Sequence, residues 1–288
     1  MKIAFVGDIH GRVFHTLAVL ATLQQKTNHQ LDMIIQVGDL GAYPFPTQEM
    51  RNEKFILEDP TELDFSKLIH AKGELLDNLY LLKEELHTPI YFIRGNHEDF
   101  HWLNEISKSN ITSVDKTGFF SYVVDGTTMK INDYHISFLG GIETEQEDET
   151  SINEEVYDKL LHSPVGELDI LVTHDAPYGI GISFTGQVQG SRKISTLIER
   201  IKPKYLISGH YHHLNGPKVY SKTTYLGLNI LVPPIRRDRS RRVQSDSIAI
   251  LDTSLNTMEV LQEEWISQFS TMNFDFNQFV QQFKANLL

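Results

Sequence analysis

The 288-residue sequence contains no cysteine. That absence removes disulfides, thiolate zinc sites and cysteine nucleophiles together. No run of about 18 apolar residues occurs, so no segment reads as a membrane-spanning helix. The N-terminal MKIAFVGDIHG is a short apolar run broken by an Asp, too brief for a secretory signal's apolar region plus cleavage site. A soluble, cytoplasmic protein with no membrane partner is the expectation. Positive charge is also in short supply. The 26 Lys and Arg face 38 Asp and Glu, and the formal charge of -12 opposes generic binding to a polyanion.

Local charge departs from that average. RRDRSRR holds five arginines in seven positions, Arg236, Arg237, Arg239, Arg241 and Arg242. ETEQEDETSINEE, residues 143–155, holds seven acids and no base. Solvated loops are the plain reading of both, and a contact to a polyanionic substrate is the sharper reading of the first. The remaining composition, 40% hydrophobic and 22% charged, is that of an ordinary folded protein able to bury a sizeable core. No internal repeat or linker stands out. The chain therefore reads as a single domain, 1–288, with a helical insertion at about 43–88.

Short apolar runs rich in Ile, Val, Leu and Tyr recur, and each leads into a polar loop. KIAFV (2–6) leads into GDIHG, DMIIQV (32–37) into GDLG, and PIYFI (89–93) into RGNHE. DILV (169–172) leads into THDAP, and KYLI (204–207) into SGHYHH. Runs of this length with little alternation predict strands buried on both faces. Helices are expected between them: an amphipathic one over 15–25, a long one over 66–86, and one over 190–201 that starts at Gly-Ser and ends before Pro203. Alternation of strands and helices indicates an α/β protein. Antiparallel strands are expected at 119–124, 129–139, 218–231 and 247–261. The tail repeats Phe276, Phe279, Val280, Phe283 and Leu287 along one helical face.

The polar loops carry the chemistry. In an open α/β sheet, ligands bind beyond the carboxyl ends of the strands, where all five loops lie. Asp8, His10, Asp39, Asn96, His97, His174, His210 and His212 would converge there. Imidazole, carboxylate and amide oxygen together suit a borderline divalent metal such as Mn, Fe, Zn or Ni. Seven ligands exceed one tetrahedral zinc, and they suit two ions sharing a carboxylate, about 3.5–4 Å apart, as used for in-line displacement at phosphorus. His210 and His212 are expected to alternate along an extended segment and serve one ion each, with His213 outside the site.

GDIHG, GDLG, GNHE, THDAP and GHYH, in this order, resemble the five signature blocks of the calcineurin-like metallophosphoesterases. The blocks run from residue 7 to 213. The resemblance implies a four-layer αββα sandwich with a dinuclear metal centre. It assigns Asp8, His10 and His212 to one metal, Asn96, His174 and His210 to the other, and Asp39 to the bridge. His97 would be the non-ligand histidine near the leaving-group oxygen, and the mechanism expected of such a site makes it the catalytic residue that protonates that oxygen. In the protein phosphatase branch a second Asp of the second block supports that histidine. Here Ala42 stands in its place, followed by Tyr43, and Glu98 is the nearest acid to orient His97. THDAPYGIGI with KPKYLISGHYHH is more similar to the lariat-debranching branch and its bacterial relatives. Those lariat enzymes typically carry Cys in the first block, where this chain keeps Asp8.

Two divalent ions and two carboxylates leave a formal site charge of about +2, which would hold a phosphate ester and acidify a bridging water. The expected function is hydrolysis of a nucleotide or nucleic-acid phosphodiester by metal-bound hydroxide. A phosphomonoesterase, a dinucleoside polyphosphate hydrolase and a non-catalytic metal-binding scaffold are the alternatives. Arg12, Arg94, Arg192 and Lys193 are the candidates for substrate-phosphate contacts.

Overall fold

Alternate side chains of a strand point to opposite faces, and in β1 (Lys2–Val6) both faces are buried. Ile3 and Phe5 enter one apolar cluster, while Ala4 enters another with Val6. The same division runs through the rest of the molecule. The computed structural model describes residues 1–27, 31–183 and 186–285.

After β1 come α1 (Val13–Thr27) and β2 (Met33–Gln36). Four helices follow, α2 (Gln48–Arg51), α3 (Lys54–Glu58), α4 (Asp64–Ile69) and α5 (Glu74–Lys83), and then β3 (Ile90–Phe92). Next are α6 (Phe100–Ile106), β4 (Ile111–Ser113) and β5 (Phe120–Val123). The second half starts with β6 (Thr128–Ile131), β7 (Tyr134–Leu139), α7 (Glu154–Leu161) and β8 (Ile170–Thr173). A two-stranded ribbon, β9 (Gly181–Ile182) and β10 (Val188–Gln189), precedes α8 (Arg192–Ile201). Then come β11 (Tyr205–Ser208), β12 (Asn215–Tyr220), β13 (Thr223–Gly227), β14 (Ile248–Asp252), β15 (Thr257–Val260) and α9 (Phe276–Lys284).

The strands form two main sheets. The first has the order β15-β14-β1-β2-β3-β5-β4 and the second β12-β13-β11-β8-β7-β6. Strands β1, β2, β3 and β5 run parallel in the first, as do β7, β8, β11 and β13 in the second. Between the sheets lies a core that includes Phe5, Ile35, Phe138, Val172 and Ile207. Leu17 and Leu20 of α1, Leu79 of α5 and Val280 of α9 belong to the core on the outer side of the first sheet. Leu160 of α7 with Ile194 and Ile198 of α8 fills the equivalent place on the second. The result is the four-layer αββα sandwich.

Several elements differ from the sequence reading. The five motif-bearing strands do not share one sheet: β1, β2 and β3 belong to the first, β8 and β11 to the second. Of the strands expected to be antiparallel, β5 pairs parallel with β3, and the 129–139 run is a hairpin whose second strand pairs parallel with β8. Helix α1 is not one-faced. Every residue from Val13 to Leu23 is buried, because α4 and α9 pack on it from outside. Thr16 and Thr22 tolerate this by bonding the carbonyls of Arg12 and Ala18 one turn earlier. The long helix over 66–86 is two helices, α4 and α5, separated where the His70 ring bonds the Pro44 carbonyl and Gly73 takes φ 55°. In the tail, Phe276, Phe279, Val280 and Phe283 are buried as expected, and Leu287 lies outside the described residues.

Candidate metal centre

The loops leaving β1, β2, β3, β8 and β11 meet at one edge of the sandwich. Their side chains form two groups with one carboxylate between them. In the first group, His212 Nε2 lies 3.0 Å from Asp8 Oδ2 and 3.1 Å from His10 Nε2. His10 Nε2 is in turn 3.6 Å from Asp39 Oδ2. One ligand atom from each of Asp8, His10, Asp39 and His212 falls within 4.8 Å of all the others. In the second group, His174 Nε2 lies 3.4 Å from Asp39 Oδ1 and 3.1 Å from Asn96 Oδ1. The His210 ring stands against that of His174, with centroids 5.2 Å apart.

The backbone is bent to make this possible. Among the described residues, nine that are not glycine have positive φ, and four of them are His10, Asp39, His210 and His212. Such conformations disfavour L side chains by about 1–3 kcal/mol each and persist only where the surroundings impose them. This also overturns the extended segment expected for His210 and His212, whose φ values are 70° and 54°. Two glycines give the loops room to interlock. A Cβ on Gly95 would sit 2.1 Å from Asp39 Oδ1, and one on Gly209 would sit 2.1 Å from Asp8 Oδ1.

The donor set fits a divalent cation, and Asp39 gives the test. Its Oδ1 accepts the backbone N–H groups of Asn96 at 2.7 Å and His97 at 2.8 Å. Its Oδ2 is buried and receives no hydrogen bond among the described residues. A buried oxygen without a donor costs about 1–3 kcal/mol, more when charged, and a cation at this place satisfies it. The tautomer of His174 agrees. Its Nδ1 lies 2.9 Å from the Val37 carbonyl, so the proton belongs there and the Nε2 lone pair faces the site.

Electrostatics point the same way. Burial opposes the charge on Asp39, but the adjoining His174 outweighs it and holds the carboxyl well below the usual carboxylate range. Burial likewise opposes a charge on His174, and Asp39 raises that imidazole nonetheless. A proton on His174 thus does part of what a metal ion would do. Burial lowers His10 to about 3 and His210 to about 4, the latter with help from His174. Both are neutral imidazoles at physiological pH, which is the ligand form.

A match to the family model for calcineurin-like phosphoesterases spans residues 1–214. The chain belongs to that family. Two curated proteins similar to this chain are named as lariat debranching enzymes. One, from Arabidopsis thaliana, is 26% identical over 248 residues, covering 74% of this chain and 54% of its own. The other, from Entamoeba histolytica, is 24% identical over 254 residues, covering 75% of this chain and 66% of its own. The chain thus spans about half to two thirds of the length of these relatives. Among solved structures, TT1561 of Thermus thermophilus shares the fold at TM-score 0.51 and 16% identity, over 90% of this chain and 96% of that one.

The other predicted residues have varied surroundings. His97 is exposed beside the cluster, its ring centroid 5.2 Å from that of His10. Glu98 does not orient it. Its carboxylate is buried and accepts the backbone N–H groups of Leu40 at 2.9 Å, Ala42 at 2.7 Å and Gly95 at 3.4 Å. It ties the second and third loops together, and burial pushes it up to about 8. His213 bonds the Tyr211 carbonyl instead of joining the cluster.

Three of the four phosphate-contact candidates make strong internal contacts through their side chains. Arg12 is buried and paired with Asp59 at 2.9 Å and Glu62 at 2.8 Å. Arg94 gives its guanidinium to Asp125 and to the carbonyls of Glu149 and Ser151, which pins the acidic 143–155 run. Lys193 pairs with Glu154. Arg192 stacks on Tyr178 with 4.0 Å between charge and ring. The N-terminus of α8 is itself filled: Glu143 accepts from Ser191 Oγ at 2.7 Å and from the Lys193 backbone at 3.1 Å. Sequence reasoning missed Glu143, Asp59 and Glu62 in these roles, because each lies 47 to 50 residues from its partner with no local signal. It also missed a cavity of about 610 Å³ over His10, His97 and His212, walled in part by Phe55, Pro234 and Ile235.

Proposed function

We propose that this phosphoesterase is a dinuclear metal-dependent phosphodiesterase acting on a nucleotide or nucleic-acid diester. The reading takes residues 1–288 as one metallophosphoesterase domain with an insertion at about 43–88. The observation that carries it is Asp39, whose two oxygens face two separate ligand groups across one carboxylate. Asp8, His10 and His212 would hold one ion, Asn96, His174 and His210 the other, with Asp39 shared. Mn, Fe, Zn or Ni suits this mixture of imidazole, carboxylate and amide oxygen. Both curated relatives are named as lariat debranching enzymes, which supports a diester of nucleic-acid type. Ala42, in place of an acid, speaks against a phosphoprotein substrate.

When bound, the ions supply a positive field that holds the phosphate and lowers the pKa of water. The chain's own residues do the rest. Asp39 is poised as a carboxylate, since even without an ion the adjoining His174 holds its carboxyl well below the usual carboxylate range. The Val37 carbonyl fixes the His174 ring, and the Asp8 carboxylate accepts the backbone N–H of His210 at 3.1 Å, so both rings are oriented in advance. His97, exposed at the floor of the cavity, donates a proton to the departing ester oxygen.

Metal content after loading with Mn tests the reading, with two ions per chain expected by elemental analysis. Saturation at one ion overturns the dinuclear assignment. The loaded protein should also hydrolyse bis-nitrophenyl phosphate faster than nitrophenyl phosphate, and the reverse order would identify a phosphomonoesterase.

A further inference from the structure

We propose that the cavity beside the candidate metal centre is a subsite for a nucleoside carrying a second phosphate, joined to the ester held at the centre. This rests on the diesterase reading and extends it from the reacting bond to the neighbouring group. The cavity's volume, about 610 Å³, is in the range of sites that enclose one small ligand. Its lining includes His10, His97 and His212, so a molecule inside it lies against the candidate metal centre.

The walls specify what fits. Phe55 projects from α3, a five-residue helix in which only Ile56 is buried, and 51% of Phe55 is exposed. With Pro234 and Ile235 it offers apolar surface, and its own ring is the planar part of it. Four cations line this cavity, Arg12, Lys54, Arg236 and Arg241, and the first two are paired with its acids. The acids there already have partners: Asp59 and Glu62 pair with Arg12, and Glu58 lies 3.7 Å from Lys54. Neither Arg236 nor Arg241 has an ion-pair partner among the described residues, in a chain where acids outnumber bases 38 to 26.

Nor is their loop a loose tether. Arg241 takes φ 50°, and its carbonyl accepts the Thr271 N–H at 3.1 Å. Arg237, between them, donates to the carbonyl of His212. The arginine loop is thereby fastened to a candidate metal-ligand loop. A lone phosphate would make no use of Phe55, and an apolar leaving group would need no arginine. A planar base bearing a second phosphate uses both, through stacking and charge-assisted hydrogen bonds.

The test is equilibrium dialysis on the Mn-loaded full chain, with adenosine 3′,5′-bisphosphate and inorganic phosphate as probes. The bisphosphate should bind at least about tenfold more tightly than phosphate. Phe55→Ala should reduce that ratio roughly tenfold and Phe55→Tyr should restore it. Arg236→Gln with Arg241→Gln should reduce it at least as much. Arg239→Gln, in the same arginine run but outside the cavity, should leave it unchanged. A wild-type ratio in both the Phe55→Ala and the double arginine variants overturns the subsite. Hydrolysis of bis-nitrophenyl phosphate without any bisphosphate preference overturns the subsite and leaves the diesterase reading intact. Bisphosphate preference without diester hydrolysis keeps the subsite and removes that reading. A kcat/KM that rises from 5′-phosphorylated diadenylate to longer oligoadenylates assigns the second phosphate to an oligonucleotide, and equal values assign it to a small dinucleotide.

Discussion

The N-terminus of α8 and the loops after β1 and β2 both read in the sequence as places for a charged ligand. At α8 the protein supplies its own anion, since Glu143 bonds Ser191 and the backbone of Lys193. Between the two loops, Asp39 keeps a buried oxygen that no donor among the described residues reaches. The arginines repeat the contrast. Arg12 is paired with two carboxylates, while Arg236 and Arg241 line the same cavity without an ion-pair partner among the described residues. Residue type alone does not separate structural from functional polar groups. What separates them is whether the fold completes their bonding.

The most damaging change should fall on the incomplete side. Asp39→Asn removes half a charge from each proposed ion and should lower activity by more than about 100-fold, beyond the 10–100-fold typical of outer-sphere partners. Metal content should fall with it. Near-normal turnover in a folded variant would show that Asp39 serves neither ion.

His97→Ala comes next. It should leave metal content intact and lower kcat by about 10²–10⁴ on esters with poor leaving groups. Loss on a nitrophenolate ester should be far smaller, because that oxygen departs without a proton. Equal losses on both would remove the acid role.

His15 sharpens the comparison, because it is an incomplete group that is not part of a site. Neither ring nitrogen has a hydrogen bond of standard geometry among the described residues, and the ring lies tilted against Phe274 with centroids 4.4 Å apart. Burial and the nearby Arg12 hold it down at about 4, against 6.5 in an unfolded chain. The unfolded state therefore takes up a proton first as pH falls. The contribution of His15 to stability should fall between pH 6.5 and 4 and level off below, by about 3 kcal/mol at most. His15→Phe should flatten that slope in denaturant titrations. An unchanged slope would mean that the folded ring accepts the proton without penalty.

The smallest effect belongs to the completed site. Glu143→Gln should cost about 1 kcal/mol of stability through the α8 terminus and change kcat/KM less than about twofold. A large fall in kcat/KM would move this terminus into the active site after all.

Much of the arrangement is legible in the sequence for a local reason. Each strand-end motif places its glycine and ligand within a few positions, so GDIHG or GHYH shows them directly. The four layers come from the family resemblance, whereas the residue pattern alone puts all five strands in one sheet. Partners brought together by folding leave no such trace. Asp59 and Glu62 beside Arg12, or Asp125 beside Arg94, follow no spacing rule. Helix α1 reads as amphipathic because His15, Thr16 and Thr22 are polar, and only the packing of α4 and α9 over it shows otherwise. Glu98 was legible as an acid near His97, but not as the group that holds three backbone N–H donors.

The division of the ligand groups between two sheets has a mechanical consequence. Asp8, His10, Asp39 and Asn96 follow strands of the first sheet, and His174, His210 and His212 follow strands of the second. A cation gripped by both groups is a clasp across the joint between them. Part of its affinity is then the adhesion of one half of the sandwich to the other, and metal supply becomes a variable of folding. At a free-ion level 100 times Kd, one such clasp adds about 2.7 kcal/mol to the joint. Starved of metal, the protein should loosen along that seam first, before either sheet comes apart on its own.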